Sequence, residues 1–258
     1  MLKNIKFRIV LCSMLLILSL YLLYSNILLL DDFHPPAWNE FHETAADTPS
    51  VPENDNQEEK NSIVKKGFHI HINLDTCLMY VYKDGTLLKT YPVSGGKKST
   101  PSPVGTWKII SKDTWGEGFG GAWLGFNVPW GKYGIHGTIY PGLIGSNSSK
   151  GCIRMKNKDV RELYKLVPHG TTVTIVHSAA PFRAMKSGDV GSDVLELQKA
   201  LKKLGYYNGS ADGRFGSGLK QSIIKFQKAN KIRVTGVAGT QTWEAIKQKL
   251  SEHEKNMQ

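Results

Sequence analysis

The sequence predicts a multidomain protein: an N-terminal transmembrane helix, a mainly-β domain with one prominent helix, and a small all-α domain at the C-terminal end. Three observations carry that reading. Ile9 to Leu30 is a 22-residue run without a charged side chain. From Gly67 the pattern changes to short alternating segments punctuated by glycine and proline, the period-2 signature of half-buried strands. Beyond Lys186, apolar residues recur at helical spacing in three separate stripes.

Residues 1–8 contain Lys3, Lys6 and Arg8, and Asp31-Asp32 follow the apolar run. A run of this length suffices to cross a hydrocarbon core of about 30 Å, and positive charge before it places residues 1–8 in the cytoplasm and everything from Asp31 outside. A cleaved signal would be shorter and end in small residues, which Ser25-Asn26-Ile27-Leu28 does not supply. Residues 9–30 therefore read as the uncleaved anchor of a single-pass membrane protein. Residues 31–66 hold nine acidic residues against three lysines, together with Pro35, Pro36, Pro49 and Pro52. Such a composition buries too little apolar surface to offset its ordering entropy and reads as a flexible acidic linker.

Residues 67–177 form the β-rich domain. Phe68 to Ile72 and Leu78 to Tyr82 read as strands, Lys83-Asp84-Gly85 as a hairpin turn and Leu87 to Val93 as the returning strand. Further strands are expected at Thr106 to Ser111, Trp123 to Val128 and Thr171 to Val176, suggesting an all-β sandwich or barrel-like core. Val160, Leu163, Tyr164 and Val167 recur at i, i+3, i+4 and i+7, predicting one helix with Asn157 as cap and Pro168 as its end. His69 and His71 share one strand face, read as solvent-facing, and no acidic residue at ligand spacing completes a metal site; no metal and no cofactor are expected. The stretch from Trp115 to Trp130 is rich in tryptophan and glycine. It fits a flap over a cleft as well as it fits core anchors separated by turns.

Residues 178–186 read as a linker. In residues 187–250 the stripes are Val194, Leu197, Leu201 and Leu204, then Leu219, Ile223 and Phe226, then Trp243, Ile246 and Leu250. Residues 251–258 are a tail.

The formal net charge is +11. Residues 67–258 hold 27 Lys and Arg against 13 Asp and Glu, so the folded part is cationic and its linker anionic. Such a surface suits polyanions, whether nucleic acid, anionic lipid or an anionic cell wall, and charge alone does not choose among them; the anchor, by placing the charge outside the cell, argues against nucleic acid. Three cysteines, Cys12, Cys77 and Cys152, are too few for a disulfide framework. Cys77 lies in a strand pattern and reads as a packed small residue.

Cys152 is different. It lies in Ser149-Lys150-Gly151-Cys152-Ile153-Arg154-Met155, between a glycine that permits a tight turn and two cations that favour a thiolate. Upstream, His136-Gly137-Thr138 offers a general base that the fold can bring beside the thiol. These two motifs, with Asn157, Tyr91-Pro92-Val93-Ser94-Gly95 and Thr100-Pro101-Ser102-Pro103-Val104-Gly105, resemble the L,D-transpeptidases of the YkuD family over roughly residues 68 to 177. Many members carry histidine where this chain has Lys150, and others carry lysine.

The resemblance implies a peptidoglycan cross-linking enzyme working through a cysteine acyl-enzyme, with L,D-carboxypeptidase action when water replaces the acceptor amine. Cys152 is then the nucleophile and His136 its base. The backbone N–H groups of Gly151 and Cys152 are the expected oxyanion donors, and Ser149, Lys150 and Gly137 support the site. Arg154 either holds a substrate carboxylate or buttresses the loop.

Gly191, Leu197-Gln198, Leu204-Gly205-Tyr206-Tyr207, Asp212-Gly213, Phe226-Gln227 and Thr242-Trp243 resemble the three-helix peptidoglycan-binding domain of wall enzymes, departing from it at Val234-Thr235-Gly236. The partners implied are stem peptides and glycan strands. The competing reading is a non-catalytic wall-anchoring protein, against which the joint presence of Cys152, His136, Gly151 and Arg154 argues.

Overall fold

The structure, a computed structural model, describes residues 67–256. The expected cytoplasmic segment, the anchor at 9–30 and the acidic linker 31–66 lie outside the described residues. Among the described residues no helix is long and apolar enough to cross a membrane.

Eight strands form one sheet: β1 Phe68–Asn73, β2 Leu78–Lys83, β3 Thr86–Pro92, β4 Gly105–Asp113, β5 Trp123–Phe126, β6 Gly134–His136, β7 Ile153–Arg154 and β8 Thr172–Val176. Their order is β3-β2-β1-β8-β4-β5-β6-β7. The expected sandwich or barrel is thus a single mixed sheet: β1 pairs in parallel with β8, β6 in parallel with β7, and the other neighbours are antiparallel. Alternation along β1 explains its facing. Ile70 and Ile72 are fully buried, and each such side chain contributes roughly 1.5–3 kcal/mol. His69 and His71 occupy the other face, half-buried and tilted against their cross-strand partners Tyr82 and Tyr80 rather than freely facing solvent.

The helix that follows β7, α1 (Asn157–Leu166), buries Val160 and Leu163 and packs on β5 and β6. Asn157 does not cap it. Lys156 occupies the cap position without a side-chain bond, because the Asn157 side chain turns away: its Oδ1 accepts the Thr138 N–H at 2.8 Å. The sequence pattern also gave no warning of β6 and β7, which are three and two residues long. Neither is long enough for an alternation to register.

Three helices follow, α2 (Ser192–Lys203), α3 (Ser217–Ala229) and α4 (Thr240–Lys255). Their shared core holds the predicted stripes, with Leu204 at its margin. Met185, from the segment read as a linker, is fully buried in the same core and pairs with Ala238. Two buried glutamines tie the turns between helices. Gln198 donates to Asp212 Oδ1 and the Arg214 carbonyl and accepts the Gly213 N–H. Gln227 accepts from Thr235 and Gly236 and donates to the Val237 carbonyl.

Candidate active site

The site forms where β6 and β7 run side by side. Their register sets Ile135 opposite Ile153 and His136 opposite Arg154, so Cys152, one residue before β7, falls beside the start of β6. A second ladder holds β7 from its other side, since Ser94 and Arg154 exchange backbone hydrogen bonds of 2.9 and 2.8 Å. The long-range pairing of short segments that are themselves too weak to stand alone brings the two motifs together.

His136 is 6% exposed. Its Nδ1 lies 2.6 Å from the Gly137 carbonyl oxygen. A carbonyl only accepts, so Nδ1 carries the proton and Nε2 is left as the basic nitrogen. This carbonyl is the orienting group that the sequence did not reveal. Burial pushes the imidazole pKa down, the Gly137 carbonyl pulls it up, and the Arg154 charge lowers it further; the net direction is down. The resting ring is a neutral base at neutral pH.

Aromatic rings fix the imidazole. Trp123 stacks near it at 5.9 Å between centroids and 25°, and Phe119 meets it edge-on at 4.9 Å. Trp115 stacks on Trp123 at 4.4 Å, with the Lys132 ammonium over its ring. The tryptophan-rich stretch divides between buried and more exposed rings. Trp123 and Trp130 are buried anchors, whereas Trp115 and Phe119 belong to a covering segment whose Phe119 carbonyl accepts the Gly137 N–H at 2.8 Å. Gly137 itself is a packing residue: a Cβ there would stand 2.4 Å from Asn157 Oδ1 and 2.7 Å from the Gly120 Cα.

Cys152 is a free, half-buried thiol. Burial raises its pKa, while the Gly134 backbone N–H and the Arg154 guanidinium pull it down; the net direction is up. Both directions favour the uncharged forms, thiol for Cys152 and neutral imidazole for His136. Lys150 is exposed and is not among the charges that act on the thiol. The cationic activation read from the sequence comes from Arg154 alone. No carboxylate among the described residues pairs with Arg154.

Gly151 has φ +114°, and a Cβ there would meet the Tyr133 ring at 2.7 Å. Its N–H donates to Ser149 Oγ at 2.9 Å, so this expected oxyanion donor is engaged inside the loop. Ser149, fully buried, also donates from Oγ to the Cys152 carbonyl at 2.6 Å, and its own carbonyl accepts from Lys97 and Thr100. It shapes the loop rather than meeting substrate. Thus Cys152, His136, Gly137, Ser149, Gly151 and Arg154 come together, and Lys150 does not join them. The Gly134 amide, Phe119 and Trp123 were missed: one is backbone chemistry, and nothing local in the sequence links the rings to the histidine. Among the described residues no group of His, Cys, Asp and Glu could hold a metal ion.

A profile described as the L,D-transpeptidase catalytic domain, YkuD, matches residues 67–175, and one described as "Putative peptidoglycan binding domain" matches residues 190–246. The chain is 43% identical over 109 residues to "Putative L,D-transpeptidase YkuD" of Bacillus subtilis, covering 42% of this chain and 65% of that protein. It is 39% identical over 66 residues to "Spore cortex-lytic enzyme" of Oceanobacillus iheyensis, covering 26% and 24% of the two chains. A solved L,D-transpeptidase from Mycobacterium smegmatis aligns at a TM-score of 0.37 and 24% identity over 42% of this chain and 58% of that one. Residues 67–175 thus match the YkuD L,D-transpeptidase catalytic domain and residues 190–246 the peptidoglycan-binding domain, and the chain spans just under two thirds of the length of the Bacillus subtilis relative.

Proposed function

We propose that this protein is a peptidoglycan L,D-transpeptidase that cross-links wall stem peptides through a Cys152 thioester. The observation that carries the reading is the His136 ring held with Nε2 free by its Nδ1 bond to the Gly137 carbonyl, on the strand beside the one that Cys152 enters. On attack, His136 Nε2 takes the thiol proton as sulfur bonds to the carbonyl carbon of the donor stem's third residue. The leaving D-amino acid takes that proton as the C–N bond breaks. An acceptor amine then attacks the thioester, losing a proton to His136 and restoring the thiol; water in place of the amine gives carboxypeptidase action. The Cys152 N–H is the oxyanion donor that remains once the Gly151 N–H is engaged by Ser149. Arg154, free of carboxylates among the described residues, is placed to pair with a substrate carboxylate.

In this reading residues 9–30 anchor the chain in the cell membrane, with the folded domains facing the wall, and the cationic surface favours anionic wall polymers as well as glycan. Incubating the protein with purified stem peptides and an acceptor amine should give a cross-linked dimer by mass spectrometry, dependent on Cys152. Intact donor and no released D-amino acid would favour a wall-binding protein without catalysis.

A further inference from the structure

The helical domain packs against the catalytic domain, and the contact leads toward the nucleophile. Leu195, on α2, is 6% exposed and packs into the hydrophobic cluster of the catalytic domain rather than into that of its own helices. From the same helical domain, the Arg214 guanidinium donates from Nη2 to the Trp130 carbonyl at 2.8 Å. Gly213, with φ +70°, lies so close under the Trp130 indole that a Cβ would stand 2.2 Å from it. Trp130 belongs to the connection between β5 and β6 and is 7% exposed, closed in on another side by the edge of Trp107 at 5.3 Å. Its ring also meets Tyr133 at 6.4 Å. Tyr133 in turn lies against the Cα of Gly151, and the next residue, Gly134, is the amide that acts on the Cys152 sulfur. Every step from Leu195 and Gly213 to Cys152 is a packed contact or a hydrogen bond.

We propose that the helical domain is a positioning part of the catalytic site: its Gly213-Arg214 turn seats Trp130, and Trp130 holds Tyr133 against Gly151 beside Cys152. The turn is rigid enough for this, since Gln198 ties Gly213, Asp212 and Arg214 to α2. The residues of the first glutamine-tied turn are thereby committed to the neighbouring domain. The second turn, tied by Gln227, faces its own domain: the atoms nearest to a Cβ on Gly236 belong to Lys220 and Ile224. The two turns have the same glutamine tie and the same left-handed glycine, with φ +70° and +68°. They therefore supply a matched pair for the test.

The inference rests on the transpeptidase reading only for its kinetic arm, so the first readout is independent of turnover. In the full chain, the alkylation rate of Cys152 by iodoacetamide across pH, read by intact and peptide mass, should change roughly 3- to 30-fold in Gly213→Ala and Arg214→Ala, the range typical of coupling through packed networks. Arg214→Lys, which keeps a cationic donor, should recover part of it. With stem peptide as substrate the same variants should lower kcat while moving KM little. Gly236→Ala should leave both profiles at wild type although it strains its own turn. Arg214 is exposed, so its variants keep the test open if Gly213→Ala does not fold. Wild-type alkylation and kcat in Arg214→Ala and Gly213→Ala, or equal effects from Gly236→Ala, would overturn the proposal. Altered alkylation in a protein that turns over no stem peptide would leave the positioning role standing and sink the transpeptidase reading.

Discussion

Cys77 and Cys152 are both free thiols whose pKa burial raises, yet their surroundings have opposite polarity. Cys77 is 8% exposed, with a left-handed φ of +54°. Its Sγ faces the Leu74 carbonyl at 3.6 Å and Asn147 Oδ1 at 3.9 Å, and the Asp75 charge raises its pKa further. Acceptors and a carboxylate keep the proton on sulfur. Around Cys152 stand a donor, the Gly134 N–H, and a cation, Arg154, while the base His136 sits on the neighbouring strand β6. Burial alone makes either thiol inert; what separates them is the sign of the groups that face the sulfur.

The largest effect that tests this contrast is expected from Cys152→Ser. A carbapenem should add its mass to the wild type and to Cys77→Ser but not to Cys152→Ser; an adduct that follows Cys77 would break the comparison. Next, His136→Ala should lower turnover by roughly 10²- to 10⁴-fold, the usual worth of general-base assistance, read as kcat on a stem peptide. Ser149→Ala should be milder in stability, costing about 1–3 kcal/mol by leaving the Gly151 N–H and the Cys152 carbonyl without their partner. It should also lower kcat, and denaturant titration with steady-state kinetics would check both. Loss of stability without loss of rate would mean that the loop's shape does not matter to the thiol.

A smaller effect is a pH dependence of folding. His136 has its pKa lowered below 6.5 by burial, as does His71. The unfolded chain therefore binds their protons first as pH falls, so the stability they contribute is full above about 6.5 and declines as pH passes down through their folded values. Asp75, lowered by its hydrogen bonds to Ser178 and Ala179 despite desolvation, acts in the same direction at lower pH. The melting temperature should fall across this window, and His136→Gln should flatten its upper part. The smallest effect is expected from Cys77→Ser, which retains a donor for the Leu74 carbonyl and should leave kcat unchanged.

The six longer strands, the helix after the cysteine motif and the three stripes of the helical domain were legible in the sequence because each is a local regularity that burial of one face imposes. Cys152 and His136 could be named as candidates from residue type and motif, and the structure sets His136 on β6 and Cys152 one residue before the neighbouring strand β7. Tertiary structure decided what faces them. The pairing of β6 with β7, the Gly137 carbonyl on Nδ1, the Gly134 amide on sulfur and the rings of Phe119 and Trp123 on the imidazole all join residues across strands or turns, where no periodicity reports a neighbour. The same holds for the errors. Asn157 has the composition of a cap but finds a better-placed donor in Thr138. Lys150 has the right charge beside Cys152 in sequence, yet its long side chain is exposed, where solvation of the ammonium outweighs any attraction to a buried thiol. Sequence determines which groups the chain possesses and which faces must be buried; only the packed fold determines which of those groups share a low-dielectric space, and that sets their protonation and reactivity.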